Sequence, residues 1–309
     1  MTTLTRLRIA TRGSTLAMWQ ARHVAERLRL QMPHLEVEIV RVTTTGDRVQ
    51  SQPLRDFGGL GVFTREIQLC LLRGEADIAV HSLKDLPTTS VPGLMFCSVL
   101  EREDPADVLV LPMGRTGDLQ TLPAGSRIAT GSIRRQAQLK FLRPDCQVCE
   151  VRGNVETRLH KLDEGEFDAL VLAAAGLRRL GLTTRINQRL TPPLMFGAVG
   201  QGALGLECRV ADARTAECLL SLRHEPSWWQ VLAERSLLQT LRAGCHAPVG
   251  VHSHFEHDQL CLEAIVLSPD GTHRWQALSR GLPTQAVQIG QAVACSLLKQ
   301  GACWNVSAP

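Results

Sequence analysis

The first two thirds of the chain alternate apolar runs with apolar residues at helical spacing. LRIAT, residues 7–11, reads as a short strand. It runs into a helix carrying Ala17, Ala21, Val24 and Leu28 at spacings of four, three and four. EVEIVRVTT, residues 36–44, is the next strand, with Val37, Ile39 and Val42 prominent. Residues 46–61 hold four glycines, a proline and mixed charge, which predicts a long loop of the kind that often forms a lid. The following helix presents Phe63, Ile67 and Leu71 on one face, and ADIAVHS, residues 76–82, is the strand after it.

A second set begins near residue 104. VLVL, RIAT, QVCEVR and FDALVLAAA read as strands, with IRRQAQLKFLRP and VETRLHKLDEG as helices between them. These strands are nearly continuous apolar runs, the pattern of a parallel sheet covered by helices on both faces. AVGQGALGLEC, residues 198–208, is Gly-rich and then strand-like, and reads as a crossing back into the first domain. The last part changes character. A long helix at 227–244 precedes three segments that alternate like antiparallel strands, turning at Pro269, Asp270 and Gly271, and PTQAVQIGQAVACSLLKQG closes as a helix. That makes an α+β unit of about 85 residues, well within the usual domain range. The sequence reads as free of internal repeats and low-complexity tracts.

Length and composition narrow the class. The 309 residues suffice for two or three domains, and 44% hydrophobic with 21% charged residues is ordinary for a soluble globular protein. No apolar run approaches the roughly 20 residues that span a bilayer, and the N-terminus lacks a secretory h-region. The expectation is a cytoplasmic protein. The ten cysteines are scattered, mostly beside apolar residues as in QLCLL and AVACSLL, and read as small buried hydrophobes in a reducing compartment. Cys146 and Cys149 form a lone CxxC that reads as the approach to a strand rather than a metal or redox site. HSHFEH, residues 252–257, reads as a solvated strand and turn rather than a metal cluster, with His252 and His254 on one face and His257 on the other.

Charge is informative by its distribution. Residues 127–158 hold seven Lys or Arg against three acids, which accounts for the whole chain's surplus of +4. A local basic surplus implies an anionic partner met at one place. In open α/β sheets ligands bind beyond the carboxyl ends of the strands, and several polar clusters fall there. TRGS, residues 11–14, follows the first strand and opens a helix, so Ser14 can cap it and offer backbone N–H groups to an anion. TGSIRRQ, residues 130–136, has the same layout, with Ser132 as the expected cap. Arg134 and Arg135 there oppose the helix dipole, a conflict that a bound anion would remove. Arg152, Asn154 and Arg158 follow another strand. Together the clusters favour a cleft for a polyanionic ligand, met by the bidentate fork of arginine. AVHSLKDLP, residues 79–87, sets His81, Ser82, Lys84 and Asp85 where a buried strand emerges, as a polar turn or a catalytic carboxylate. RAGCHAPVG, residues 242–250, sets Cys245 in a loop just past a helix end, where a thiol is an inert cysteine, a nucleophile or a covalent tether.

IATRGSTLAMWQ, ADIAVHSLKDLP, EREDPAD, TGSIRRQAQL, RGNVETRL, DALVLAAAGLRRLG, AVGQGALGLE and ERSLLQTLRAGCHAPVG, in that order, resemble the motifs of the porphobilinogen deaminase family. The resemblance runs nearly end to end. It implies an α/β fold of two periplasmic-binding-protein-like domains with mainly parallel sheets plus a C-terminal α+β domain. The expected division is residues 1–103 with 200–222, residues 104–199, and residues 223–309. It also implies a transferase that joins four porphobilinogen molecules head to tail into hydroxymethylbilane, releasing four ammonia molecules. The implied cofactor is a dipyrromethane on a thioether to Cys245. Asp85 matches the family's catalytic aspartate, which would stabilise the cationic azafulvene left when ammonia departs. Ser82, Lys84, Thr130, Ser132, Arg134, Arg135 and Gly153 would bind the cofactor. Arg12, Ser14, Gln20, Arg152, Asn154 and Arg158 would bind substrate. A monomer is implied, with no metal, nucleic acid or membrane partner.

Four positions depart from the family pattern: Leu60 where lysine is usual, Gly131 where a second serine or threonine is common, Ala243 for glycine and Ala247 for a β-branched residue. Leu60 removes a cation from the expected lid. Three rival readings stay open on sequence alone. An inactive paralogue would keep the fold without the reaction. A non-catalytic anion-binding protein would need neither Asp85 nor Cys245. A thiol-dependent transferase would keep Cys245 free in its resting state.

Overall fold

A computed structural model describes residues 4–48, 63–244 and 247–303. The chain divides into two compact units, one of residues 1–103 with 203–228 and one of residues 104–202 with 229–309.

The first unit is built on a five-stranded sheet. Its strands are β1 (Arg6–Arg12), β2 (Glu36–Val42), β3 (Ile78–Ser82), β4 (Leu94–Val99) and β10 (Leu204–Arg209), in the spatial order β2-β1-β3-β10-β4. Helix α1 (Thr15–Gln31) starts where the sequence places it, because the Ser14 side chain accepts the Ala17 backbone N–H. The strands feed two cores by simple alternation. Leu7 and Ile9 pack with Ala21, Val24 and Leu28 of α1. Ala10 and Ala79 pack on the other face with Ile67 and Leu71 of α3 (Arg65–Leu72). A single helical turn, α2 (Thr45–Arg48), opens the segment read as loop, and the rest of that segment, including Leu60, lies outside the described residues. Helix α7 (Ala213–Leu220), with Asp212 capping it, and strand β4 are elements that the hydrophobic pattern does not predict.

The second unit repeats this plan with β5 (Asp107–Val110), β6 (Arg127–Ala129), β7 (Gln147–Cys149), β8 (Ala169–Ala173) and β9 (Gln188–Leu190), in the order β7-β6-β8-β5-β9. Helices α4 (Ile133–Leu142), α5 (Val155–Asp163) and α6 (Ala174–Arg179) follow β6, β7 and β8. FDALVLAAA is therefore a strand only to Ala173, where α6 begins. The same unit holds an antiparallel sheet, β11 (Val249–Glu256), β12 (Gln259–Leu267) and β13 (Arg274–Gly281), flanked by α8 (Glu225–Thr240) and α9 (Ala286–Lys299). Leu260, Leu262, Ala264 and Val266 alternate onto Leu237, Ile289 and Val293 of the two helices.

Each five-stranded sheet is mixed rather than parallel throughout. β10 runs against β3 and β4, and β5 runs against β8 and β9, while the other pairs are parallel. Four strands in each sheet thus share one direction. The reversed strand is the one that follows a passage of the chain from one unit to the other, at 103/104 and at 202/203. VLVL, expected among parallel strands, is one of these reversed strands.

The reading that the chain carries no internal repeat is corrected here. RIAT occurs at 8–11 and at 127–130, and a Gly-Glu-X-Asp run occurs at 74–77 and at 165–168. The two pairs are built alike. The Arg8 N–H and Nε both donate to Asp77 Oδ2, at 3.0 and 3.1 Å, and its Nη2 reaches the Gly74 carbonyl at 2.8 Å. The Arg127 N–H and Nε donate to Asp168 Oδ2, at 2.7 and 3.3 Å, and its Nη2 reaches the Gly165 carbonyl at 3.0 Å. Gly74 and Gly165 both take a positive φ just past a helix end, the conformation that glycine allows.

Candidate active site

The polar residues singled out in the sequence fall into strand-end clusters, two of them in the first unit. β3 ends at Ser82, and Leu83–Asp85 form one 3-10 turn. Two contacts hold this turn. The Leu83 N–H donates to the Ala203 carbonyl at 3.0 Å. Leu83 also lies over Gly205 of β10, where an added Cβ would come within 2.6 Å of its side chain. Leu83 is thereby buried while Lys84 and Asp85 stay half-buried. Asp85 has no ion pair and no hydrogen bond among the described residues, so its carboxylate oxygens are uncommitted. The Ser82 hydroxyl does not cap the turn. It accepts a 2.8 Å hydrogen bond from Nε2 of the buried Gln20 on α1, which fixes the hydroxyl oxygen at the strand end.

The end of β1 lies beside β3 in the same sheet. Thr11 is buried and donates to the Ala17 carbonyl, while Arg12 sets its guanidinium 4.2 Å from the centre of the Phe63 ring. His81, singled out in the sequence with this turn, has a partner that the sequence reading missed. His81, buried on β3, places Nε2 3.0 Å from Oε2 of Glu207 on β10, and Gln68 on α3 donates to the same oxygen. Glu207 sits in an otherwise apolar strand, GLEC, and nothing local in that stretch marks its partner.

In the second unit the β6–α4 junction differs from the expectation in two respects. Ser132 stands at the N-cap of α4 but makes no capping hydrogen bond, and its own N–H donates to the Thr130 hydroxyl at 3.3 Å. The conflict between Arg134, Arg135 and the helix dipole is relieved from within the protein. Asp107, the first residue of β5 and 0% exposed, accepts from Arg134 Nη1 at 2.6 Å, Arg135 Nε at 2.9 Å and Gln201 Nε2 at 2.9 Å. Arg134 also donates to the Phe196 carbonyl, and Arg135 Nη1 to the Val171 carbonyl at 3.0 Å. Burial alone would raise the Asp107 pKa, but the two guanidinium charges and these hydrogen bonds outweigh it and hold the carboxyl well below the usual range. Two buried cations thus share one buried anion, and Arg134 Nε is buried with no partner among the described residues.

The fourth cluster follows β7. Asn154 caps α5, its Oδ1 accepting from the Thr157 N–H at 2.9 Å. The half-buried Arg152 pairs with Glu150 at 3.1 Å, and Arg158 Nε donates to the Gly153 carbonyl at 2.8 Å. Gly153 adopts φ 109°. Gly131 has a physical reason for its departure from the family pattern, since an added Cβ would stand 2.8 Å from the Val151 carbonyl oxygen.

Cys245 lies outside the described residues, and so does His246. On one side, two residues past the end of α8, Arg242 takes φ 52°, the left-handed conformation glycine usually supplies. On the other, the Ala247 N–H donates to the Gly244 carbonyl at 3.0 Å. Ala243 and Ala247 are both buried in the core of the C-terminal sheet, where small side chains fit. Glu234 on α8, fully buried, accepts from the Gly200 N–H at 2.7 Å and from the Ser253 hydroxyl at 2.5 Å.

Other features separate from these clusters. His252 and His254 stack at 4.9 Å on β11, and His257 occupies the turn after it. Among the described residues no three His, Cys, Asp or Glu side chains converge as a metal site, and no helix is long and apolar enough to cross a membrane. Of the cysteines, Cys70, Cys97, Cys208, Cys218 and Cys261 are buried as expected, whereas Cys295 is exposed on α9.

Comparison with known proteins gives two kinds of match. Among solved structures, the probable amino-acid ABC transporter extracellular-binding protein ytmK of Bacillus subtilis aligns with a TM-score of 0.47 at 12% identity, over 76% of this chain and 97% of that one. The BvgS VFT2 domain of Bordetella pertussis aligns at 0.42 and 18% identity, over 71% and 86%. The periplasmic aliphatic sulphonate binding protein SsuA of Escherichia coli aligns at 0.40 and 16%, over 78% and 71%. Two family models also match. One, porphobilinogen deaminase, dipyromethane cofactor binding domain, covers residues 7–217, and the other, porphobilinogen deaminase, C-terminal domain, covers residues 228–299.

Proposed function

The chain belongs to the porphobilinogen deaminase family, transferases that assemble hydroxymethylbilane from porphobilinogen in tetrapyrrole biosynthesis with a dipyrromethane cofactor, and on that premise we propose how its residues divide the work. Asp85 is the catalytic carboxylate. The observation that carries this is its combination of a fixed turn, partial burial and uncommitted oxygens at the end of β3. When the aminomethyl group of a substrate pyrrole leaves as ammonia, positive charge develops on the ring and its methylene carbon. A carboxylate held nearby in a partly dry site stabilises that charge and can take the proton released later from the ring. Removing one such preorganised group costs about 10²–10³ in rate.

The remaining candidates meet the acetate and propionate groups. Lys84, Arg12 and the hydroxyls of Ser82 and Ser14 serve in the first unit, with Gln20 orienting Ser82. In the second unit Arg134, Arg135, Thr130, Ser132 and Gly153 hold the cofactor. The fit rests on two features of these residues. Arg134 and Arg135 keep one net positive charge after Asp107 is counted, and the buried Arg134 Nε–H lacks an acceptor among the described residues. An anionic group supplies both wants. When bound, the dipyrromethane supplies the primer for chain growth. Arg152 and Arg158 bind substrate carboxylates, since a half-exposed pair such as Arg152–Glu150 exchanges partners at little cost. The Asn154 amide NH₂ joins them, because only its oxygen serves the helix cap. Cys245 is the tether. The reading includes a three-domain division at residues 1–103 with 200–222, 104–199 and 223–309, and a cytoplasmic monomer.

The test is the intact mass of the purified protein with mapping of the Cys245 peptide. The expected result is an adduct of two deaminated porphobilinogen units on Cys245. A protein that stays unmodified there after incubation with porphobilinogen contradicts the assignment.

A further inference from the structure

We propose that Cys97 and Cys208 form a redox modification site in the first unit, a dithiol that closes to a disulfide under mild peroxide. The two Sγ atoms stand 3.2 Å apart across the β4–β10 pair, so closing to the roughly 2.05 Å bond needs only a small shift of either side chain. Both are in the core cluster that α1 and α7 cover, at 1% and 0% exposure. The CxxC pair does not share this arrangement, because Cys146 and Cys149 direct their sulfurs to carbonyl and carboxylate oxygens. Cys218, also in the cluster, has Met32 Sδ as its sulfur neighbour, at 3.7 Å.

Access comes from the sheet edge. Among the described residues β4 is the last strand of its sheet and pairs with β10 alone. The ladder changes register between Leu206 and Glu207, opposite the step from Phe96 to Ser98 that contains Cys97. An edge strand with an interrupted ladder under an eight-residue helix is among the first places to open. The two thiols share one hydrogen bond in which either sulfur can donate, so a thiolate on one is stabilised by the other. Cys97 lies on the edge strand, at the break in the ladder, and is therefore the attacking sulfur. Its thiolate displaces hydroxide from hydrogen peroxide, breaking the O–O bond and leaving a sulfenic acid. The Cys208 sulfur then attacks Cys97, the S–O bond breaks and hydroxide leaves. Both hydroxides depart as water after taking up the two thiol protons. Two thiols lose two electrons and one peroxide is reduced to two waters.

The experiment treats the holoprotein with hydrogen peroxide, traps free thiols with N-ethylmaleimide and maps peptides without reductant. The expected product is a cross-linked peptide pair carrying Cys97 and Cys208, lighter by two hydrogen atoms, reversed by dithiothreitol and absent from Cys208→Ser. The link joins residues 111 apart, so the oxidised protein also melts higher than the reduced one. Exposed Cys295 and Cys303 serve as internal controls. Recovery of both Cys97 and Cys208 as maleimide adducts after unfolding, under conditions that oxidise the controls, overturns the proposal. So does Cys97 sulfinic acid without a cross-link. If Cys208→Ser does not fold, Cys97→Ala takes its place, and the wild-type map alone still decides.

Discussion

Asp85 and Asp107 are two carboxylates at the same edge of two sheets with one strand plan. The register makes them comparable, since β3 pairs with β1 through Ala79 and Ala10 while β8 pairs with β6 through Leu170 and Ala129. Asp85 follows β3 by three residues, and the matching place after β8 is Gly176, inside a helix. Asp107 opens β5 directly opposite Ala173, the last residue of β8, and in the first unit Leu204 opposes Ser82 in that place. So the two carboxylates sit at different strand-end positions and in opposite environments. Asp107 is sealed and tied to two arginines, and Asp85 is half-buried with its oxygens open. The difference teaches that a scaffold repeat supplies positions, while partners decide whether a charge serves packing or chemistry.

The two residues should break in opposite ways. Asp107→Asn has the largest expected effect on stability. It strands two buried guanidinium groups, and losing one partner of a buried ion pair costs about 3–5 kcal/mol. Chemical denaturation read by circular dichroism checks it, and a loss below about 1 kcal/mol would mean that the arginines find other partners. The pH dependence has a definite sign. The folded-state pKa of Asp107 is depressed, so its contribution is full above the unfolded carboxyl value near 3.9 and is lost as pH falls below it. Acid unfolding of the wild type should therefore be steepest below about pH 4, and Asp107→Asn should flatten that limb.

The matched arginine clamps sharpen the comparison. Asp77 is held by Arg8 and Arg209, with its side chain 15% exposed, whereas among the described residues Asp168 pairs with Arg127 alone and is 40% exposed. Asp77→Asn should cost about 1.5–3 kcal/mol, as for hydrogen bonds to a partly buried charge. Asp168→Asn should cost about 1 kcal/mol or less. Equal losses from the two would show that the repeat, rather than burial, sets the strength of the clamp.

The legible part of the molecule was the part written locally. β1 and α1 follow from alternation, the 3.6-residue period and Ser14 at the cap. Strand direction was not legible, because an apolar run such as VLVL reads the same with or against its neighbours. β4 follows a turn-forming stretch and lacks alternation, which hid it. Arg134 and Arg135 stood out as misplaced cations, but their counter-charge lies 27 and 28 residues back in a strand that otherwise reads as pure core. The RIAT and Gly-Glu-X-Asp echoes are four residues each and far apart, and only the paired clamps make them a repeat. Cys245 stands out in the sequence by its motif alone, and the residue itself lies outside the described residues.

The account's central claim is that Asp85 does chemistry and not packing. The most direct measurement is the turnover of Asp85→Asn, with the cofactor adduct verified by mass and the fold by thermal melting. The predicted result is a fall of about 10²–10³ in kcat with the melting temperature and adduct unchanged. Turnover near that of the wild type in a loaded, folded variant would contradict the claim and move the catalytic role to another residue.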